Sequence, residues 1–171
     1  MGYTTDFKGH FTLDKPLLPE HAEYLRMFSE TRRMMRDAAK AEQIPDPVRT
    51  ATGLPIGDQG GYFVGGSGFH GQGDDSSVKD HNREPRGQPG LWCQWVPTKD
   101  GMGIEWNGGE KFYDYTEWLS YICDHFLEPW GYSLSGEVKF VGEDKKEDRG
   151  TIHVSRIGNS KHWVTKRGGR R

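Results

Sequence analysis

The feature that most constrains this chain is one crowded stretch, Gly90 to Tyr132, which reads GLWCQW, then IEWNGGEKFYDYTEWL, then HFLEPWGY. Five of the six tryptophans lie in it: Trp92, Trp95, Trp106, Trp118 and Trp130. Large aromatic rings bury more area than other side chains and dominate the energetics of cores and interfaces. The stretch is therefore the heart of the fold, a binding face, or both. A chain so rich in Trp, Tyr and Phe is not disordered. At 171 residues it is long enough to bury a self-supporting core as one domain.

Periodicity sets the expected elements. Tyr3 to Leu13 alternates around Phe7, Phe11 and Leu13 and reads as a first strand. Pro19 suits the first turn of a helix, and Leu18, Ala22, Leu25, Phe28, Met35 and Ala39 recur at helical spacing. Arg26, Arg32, Arg33, Arg36 and Lys40 then load the opposite face, as a solvated surface or an anion-binding one. Pro45, Pro47 and the glycines after Gly53 open a long irregular connection over 53–85. Within it, Tyr62 to Val64 has the composition of a short strand. Leu91 to Pro97 and Gly103 to Trp106 flank the turn signal Lys99-Asp100-Gly101 and should pair as a hairpin. A second helix follows, with Phe112, Tyr115, Leu119, Ile122 and Phe126 on one stripe. Tyr132 to Val141 and Thr151 to Ile157 are strands around the charged turn Glu143 to Asp148, and His162 to Thr165 could add another. The expectation is a single α+β domain over 1–166, with a mainly antiparallel sheet of about five or six strands and two main helices. A flexible basic tail would cover 167–171.

Composition narrows the function classes. The formal net charge is −2, so the molecule as a whole is no obvious polyanion binder. The end is different: beyond Gly150 come Arg156, Lys161, Lys166, Arg167, Arg170 and Arg171, with no Asp or Glu, which makes it locally basic. Cys93 and Cys123, the only cysteines, sit among apolar residues as small hydrophobes. No apolar run reaches the ~20 residues of a membrane helix, and the start has none of signal length. A cytoplasmic location, without membrane contact, is the expectation.

Several patterns invite chemistry. GGSGFHG holds a literal G-x-G-x-x-G at Gly66, Gly68 and Gly71, but QGDDSS follows without a helical period, so a dinucleotide site of that kind is not expected. No cofactor is called for. The run from Gln72 through Asp75 and Asp80 to Asn82 is dense in donors and acceptors, yet its spacing fits no metal motif. Asx turns explain most of it. In a strand, Trp92 and Gln94 would share a face while Cys93 and Trp95 turn to the core. Trp92 with Trp106 would then offer a stacking platform, beside the Gln94 amide. Gly109 and Glu110 would open a helix N-terminus, where free N–H groups attract anions. The expected ligand site therefore comprises Gln72, Asp75, Asp80, Asn82, Trp92, Gln94, Trp106, Gly109 and Glu110.

The segments MGYTTDFKGHF, ETRRMMRDA, GQPGLWCQWVP, IEWNGGEKFYDYTEWLSYICDHFLEPWGY and GEVKFVGED resemble a family of small proteins of bacterial and bacteriophage genomes. The loop looks like that family's Q-x-x-D-x-S-V-x-D-x-N, matched by Gln72, Asp75, Ser77, Val78, Asp80 and Asn82. The likeness thins at the glycine loop and after Val154, and it carries no catalytic residues over. It implies an intracellular accessory protein that a phage could carry. The expected function is non-catalytic binding of a host or phage protein, or of a small anionic, nucleotide-like ligand. Two alternatives stay open. One is an enzyme acting on a nucleotide or glycan through Asp75, Asp80 or Glu110. The other is nucleic-acid binding through Arg32, Arg36, Lys166, Arg167, Arg170 and Arg171.

Overall fold

A computed structural model describes residues 2–66 and 71–169. The chain forms two compact units. The sheet unit combines the residues up to Leu17 with those from Gln94 onward, and the inserted unit runs from Leu18 to Cys93. The architecture is α+β, with mainly antiparallel strands.

In the sheet unit the first strand is two: β1 (Thr5–Lys8) and β2 (His10–Leu13). Gly9, at φ +102°, separates them. The hairpin is β5 (Trp95–Pro97) and β6 (Gly103–Trp106), with Trp95 opposite Trp106. Strands β7 (Leu134–Gly142), β8 (Arg149–Ser155) and β9 (Trp163–Gly168) complete a seven-stranded sheet in the order β5-β6-β2-β7-β8-β9, with β1 also paired to β7. β1 and β2 meet β7 in one register on both sides of Gly9: Lys8 faces Lys139 and Thr12 faces Ser135. Odd residues of β1 and β2 therefore point inward throughout.

The inner face is buried and the outer face solvated. Phe11, Leu13, Leu134, Val138, Phe140, Ile152 and Val154 are buried. The ring of Phe7 meets those of Trp95, Trp106, Phe112 and Tyr115 edge-on at 5.3, 5.4, 5.8 and 4.9 Å. Helix α4 (Tyr115–Ile122) contributes buried Trp118, Leu119 and Ile122. It continues as a π-helical turn, Cys123–Leu127, with the Glu128 N–H donating to the Cys123 carbonyl at 2.9 Å. Cys93 and Cys123 are both buried. Burial pushes the Cys123 thiol far up.

The expected fraying from Arg167 is corrected by β9, which holds Arg167 and Gly168 opposite Thr151 and Gly150. Gly150 permits this approach, because a Cβ there would lie 1.9 Å from the Arg167 carbonyl oxygen. Gly68, Arg170 and Arg171 lie outside the described residues.

The inserted unit corrects the first helix. Helix α1 (Pro19–Glu30) stops well before Ala39. The Thr31 hydroxyl donates back to the Met27 carbonyl at 2.7 Å, and its backbone is extended, at φ −107° and ψ 122°. Met35–Arg36 form strand β3, followed by α2 (Ala38–Glu42), α3 (Pro47–Ala51) and a 3-10 turn at Asp58–Gly60. Strand β4 (Val78–Asp80) pairs with β3. Tyr62 to Val64 forms no strand, but Phe63 and Val64 are core residues beside Tyr24, Leu25, Phe28 and Met34.

Candidate functional site

Two of the arginines expected on a solvated helical face, Arg33 and Arg36, instead organise the interior of the inserted unit, while Arg26 and Lys40 are exposed. Arg33 and Arg36 are each only 2% exposed. The Arg33 guanidinium lies over the Phe28 ring at 4.1 Å and donates to the Gly61 carbonyl at 2.8 Å. Arg36 lies over Phe63 at 4.2 Å. Its Nη1 donates to Asp75 Oδ2 at 3.0 Å and to Ser77 Oγ at 2.7 Å. Burying a guanidinium is costly unless it is paired and hydrogen-bonded, and the aromatic faces add cation–π attraction. Gly60, at φ +73°, leaves room for the Arg36 stem, since a Cβ would lie 2.9 Å from the Arg36 Cβ.

The loop closes around these cations. Asp75 Oδ1 accepts from both the N–H and the hydroxyl of Ser77. Burial alone would raise the Asp75 carboxyl, but the Ser77 donors and Arg36 outweigh it and hold it below the usual carboxylate range. Arg32 donates to the His81 carbonyl at 2.9 Å and to Asn82 Oδ1 at 3.1 Å. Asp80 Oδ1 accepts the Asn82 N–H at 2.9 Å in a local turn. The segments RRMMR and DDSSVKDHN, far apart in sequence, thus form one clasp. Asp75, Asp80, Asn82, Arg32 and Arg36 are brought together as fold-holding residues. The buried Arg36 is consequently no phosphate contact. Gln72 and Trp92 are half-buried in the same unit.

Gln94, Trp106, Gly109 and Glu110 belong to the other unit, so the nine expected ligand residues divide between two bodies. Gln94 and Trp106 do meet: the indole N–H donates to Gln94 Oε1 at 3.0 Å. The Gln94 amide nitrogen donates to the Glu110 carbonyl at 2.7 Å. Both ends of this amide are occupied in tethering the segment after the hairpin. The helix expected to open at Gly109 begins at Tyr115 instead. The intervening chain passes through left-handed Lys111 (φ +57°) and Asp114 (φ +55°), placing Phe112 in the core. Asn107 accepts the Gly109 N–H at 2.8 Å as a turn residue.

The sheet unit's outer face presents chemistry that sequence patterns did not assemble. Register aligns Lys8 with Lys139, Lys139 with Thr151, and Thr151 with Arg167, across four strands. All three cations are exposed, and among the described residues none makes an ion pair. Like charges directly opposite each other in a sheet are destabilising, so the Lys8–Lys139 pair costs stability. The neighbouring row places Glu137 against His153, 2.7 Å apart. In the row beyond, Trp163 is opposite Ser155 and is 67% exposed. Toward β5 the same face carries an open groove of about 390 Å³ lined by His10, Thr12, Thr98, Asp100 and Glu105 among others. Lys166, by contrast, points inward and lies over Tyr115 and Phe140, each at 4.8 Å. The strand alternation that predicted β7 and β8 was the signal for this face, but the pairing of β1 and β9 was needed to join the cations.

One buried histidine anchors the start of β9. His162 Nδ1 lies 2.7 Å from Glu128 Oε2, and its Nε2 accepts the Leu134 N–H at 2.8 Å. Accepting the Leu134 N–H at Nε2 turns Nδ1 toward the Glu128 carboxylate. Burial tends to raise the Glu128 carboxyl, but the two His162 donors and Arg156 prevail and lower it.

Among the described residues, no cluster of three or more His, Cys, Asp or Glu is placed to hold a metal, and no helix is long and apolar enough to cross a membrane. Comparison with family models, curated proteins and solved structures gives no match to this chain.

Proposed function

We propose that the protein is a non-catalytic accessory binding protein, working inside a bacterial or phage-infected cell, whose binding surface is the solvated face of its sheet. One contrast carries this reading. Asp75, the most chemically distinctive carboxylate of the loop, is occupied as counter-ion to a buried guanidinium, whereas the cations of the sheet face have no ion-pair partner among the described residues. A general acid or base must reach the proton that it transfers, and Asp75 is turned to Arg36 and Ser77 instead. Asp80 is engaged in a turn. The ligand is thus expected at the sheet rather than at the polar loop.

The test is a turnover screen over nucleotides, oligonucleotides and glycans, followed by product chromatography, with Asp75→Asn, Asp80→Asn and Glu110→Gln in parallel. The expected result is no product from any variant and a lowered melting temperature for Asp75→Asn. Turnover that these substitutions abolish, at unchanged melting temperature, would overturn the reading in favour of an enzyme.

A further inference from the structure

We infer that the outer face of β1, β7, β8 and β9 binds single-stranded nucleic acid, an assignment that rests on the binding role proposed above. Three observations carry it. First, Lys8, Lys139 and Arg167 stand in one cross-strand row, and none of them makes an ion pair among the described residues. Neighbouring strands are ~4.8 Å apart, so the row spans three steps, about 14 Å. Holding two lysines opposite each other opposes stability, and an anionic backbone laid across the row would relieve that repulsion. Arg149 lies in the next row, with Val141 between it and Asp6.

Second, Trp163 stands exposed on the same face and strand as Arg167. An indole in water next to a cationic track is the combination that single strands use: phosphates meet the charges, and an unpaired base stacks on the ring. By sequence the chain beyond Gly150 is locally basic and its end reads as a flexible tail. The structure makes a strand of part of that basic end, and places Lys8 and Lys139 alongside it.

Third, the geometry discriminates between duplex and single strand. The major groove is about 12 Å wide and admits a helix or a two-stranded ribbon. Here the cations of the row stand on β1, β7 and β9 of a four-strand face, too broad to enter that groove. Bases in a duplex are also stacked on one another and cannot reach Trp163. Asp6, Glu105 and Glu137 lie on this face too. They restrict the positive potential to the row and disfavour indiscriminate polyanion binding.

The test uses the full chain and a fluorescein-labelled oligothymidylate of about 20 nucleotides, read by fluorescence anisotropy, with the matching duplex beside it. Binding should weaken with salt at a log–log slope near −2, from three phosphate contacts at about 0.7 each. Lys139→Glu with Arg167→Glu should weaken binding more than tenfold, and Trp163→Ala should weaken it about five- to a hundredfold. Lys146→Ala, on the exposed turn before β8, should change it less than twofold. Melting temperatures check that each variant is folded. Absence of binding at low salt, binding indifferent to the row substitutions, or a duplex bound as tightly as the single strand would each overturn the assignment. So would a purified protein partner whose capture, in place of the oligonucleotide's, depends on the same row. Consumption of the bound oligonucleotide over time would instead overturn the non-catalytic reading and leave the surface assignment standing.

Discussion

Arginine plays opposite parts in the two units. In the inserted unit Arg33 and Arg36 are buried, lie on aromatic rings and donate to carbonyl, hydroxyl and carboxylate oxygens. In the sheet unit Arg167 is exposed and stands in a row with two lysines. The first arrangement consumes its charge internally and tightens a long loop. The second leaves the charge to act on something outside. The same residue type is thus structural or available according to whether acceptor oxygens come to meet it.

The sharpest way to break this comparison is Arg36→Met. It leaves Asp75 without its cation and removes the donor to Ser77, so a loss of about 3–5 kcal/mol is expected, as for other broken buried pairs. Chemical denaturation reads it, and a loss below ~1 kcal/mol would mean that Arg36 behaves like a surface arginine. The acid limb of stability offers a second probe. The Asp75 carboxyl is lowered in the folded state. Its stabilisation is therefore complete above the unfolded value of about 3.9 and is lost as pH falls through the lower folded value. Asp75→Asn should start less stable at neutral pH and lose less on acidification below pH ~4, with the difference from wild type closing. Parallel melting curves at all pH values would refute this.

Gln94→Ala tests the tether in the sheet unit. It strips the Trp106 indole and the Glu110 carbonyl of their partner and should cost about 1–3 kcal/mol by denaturant titration. An effect near zero would return Gln94 to the role of a free ligand contact. The smallest change expected is the most telling. Lys139→Glu replaces a like-charge pair with an opposite-charge one facing Lys8, so stability should rise by about 0.2–1 kcal/mol while oligonucleotide affinity falls. If both fall, the row is structural and the contrast between the units dissolves.

The sheet was readable from sequence because its determinants are local. The Lys99-Asp100-Gly101 turn sets the hairpin, and Gly101 adopts φ +73° there. Alternation at Leu134, Val138 and Phe140 gave β7, and the charged segment before Arg149 gave the turn to β8. Met35 and Ala39 continue the helical spacing past the end of α1 at Glu30. What stops the helix is tertiary: Thr31 turns the chain out, and Arg36 pairs with a loop some forty residues on. The segment at Gly109 was misread for a related reason, since burying Phe112 beside Phe7 and Trp95 outweighs early helix formation. As for the candidate site, the hairpin signal places Gln94 near Trp106, but as a ligand contact rather than as the amide that holds the indole. The role of Asp75 was not legible, because nothing local links it to Arg36. The cationic row was invisible, since a lysine at position 8 meets one at 139 only through strand register.

The hydrogen at Gly150 has a consequence reaching beyond its own position. Where β9 lies against β8, two glycines face each other, and the backbones come so near that a methyl group on Gly150 would collide with the Arg167 carbonyl. The attachment of the last strand's far end therefore depends on this spot. Gly150→Ala should peel that strand's end outward and carry its guanidinium off the shared track, disabling the surface without altering any group that touches a ligand.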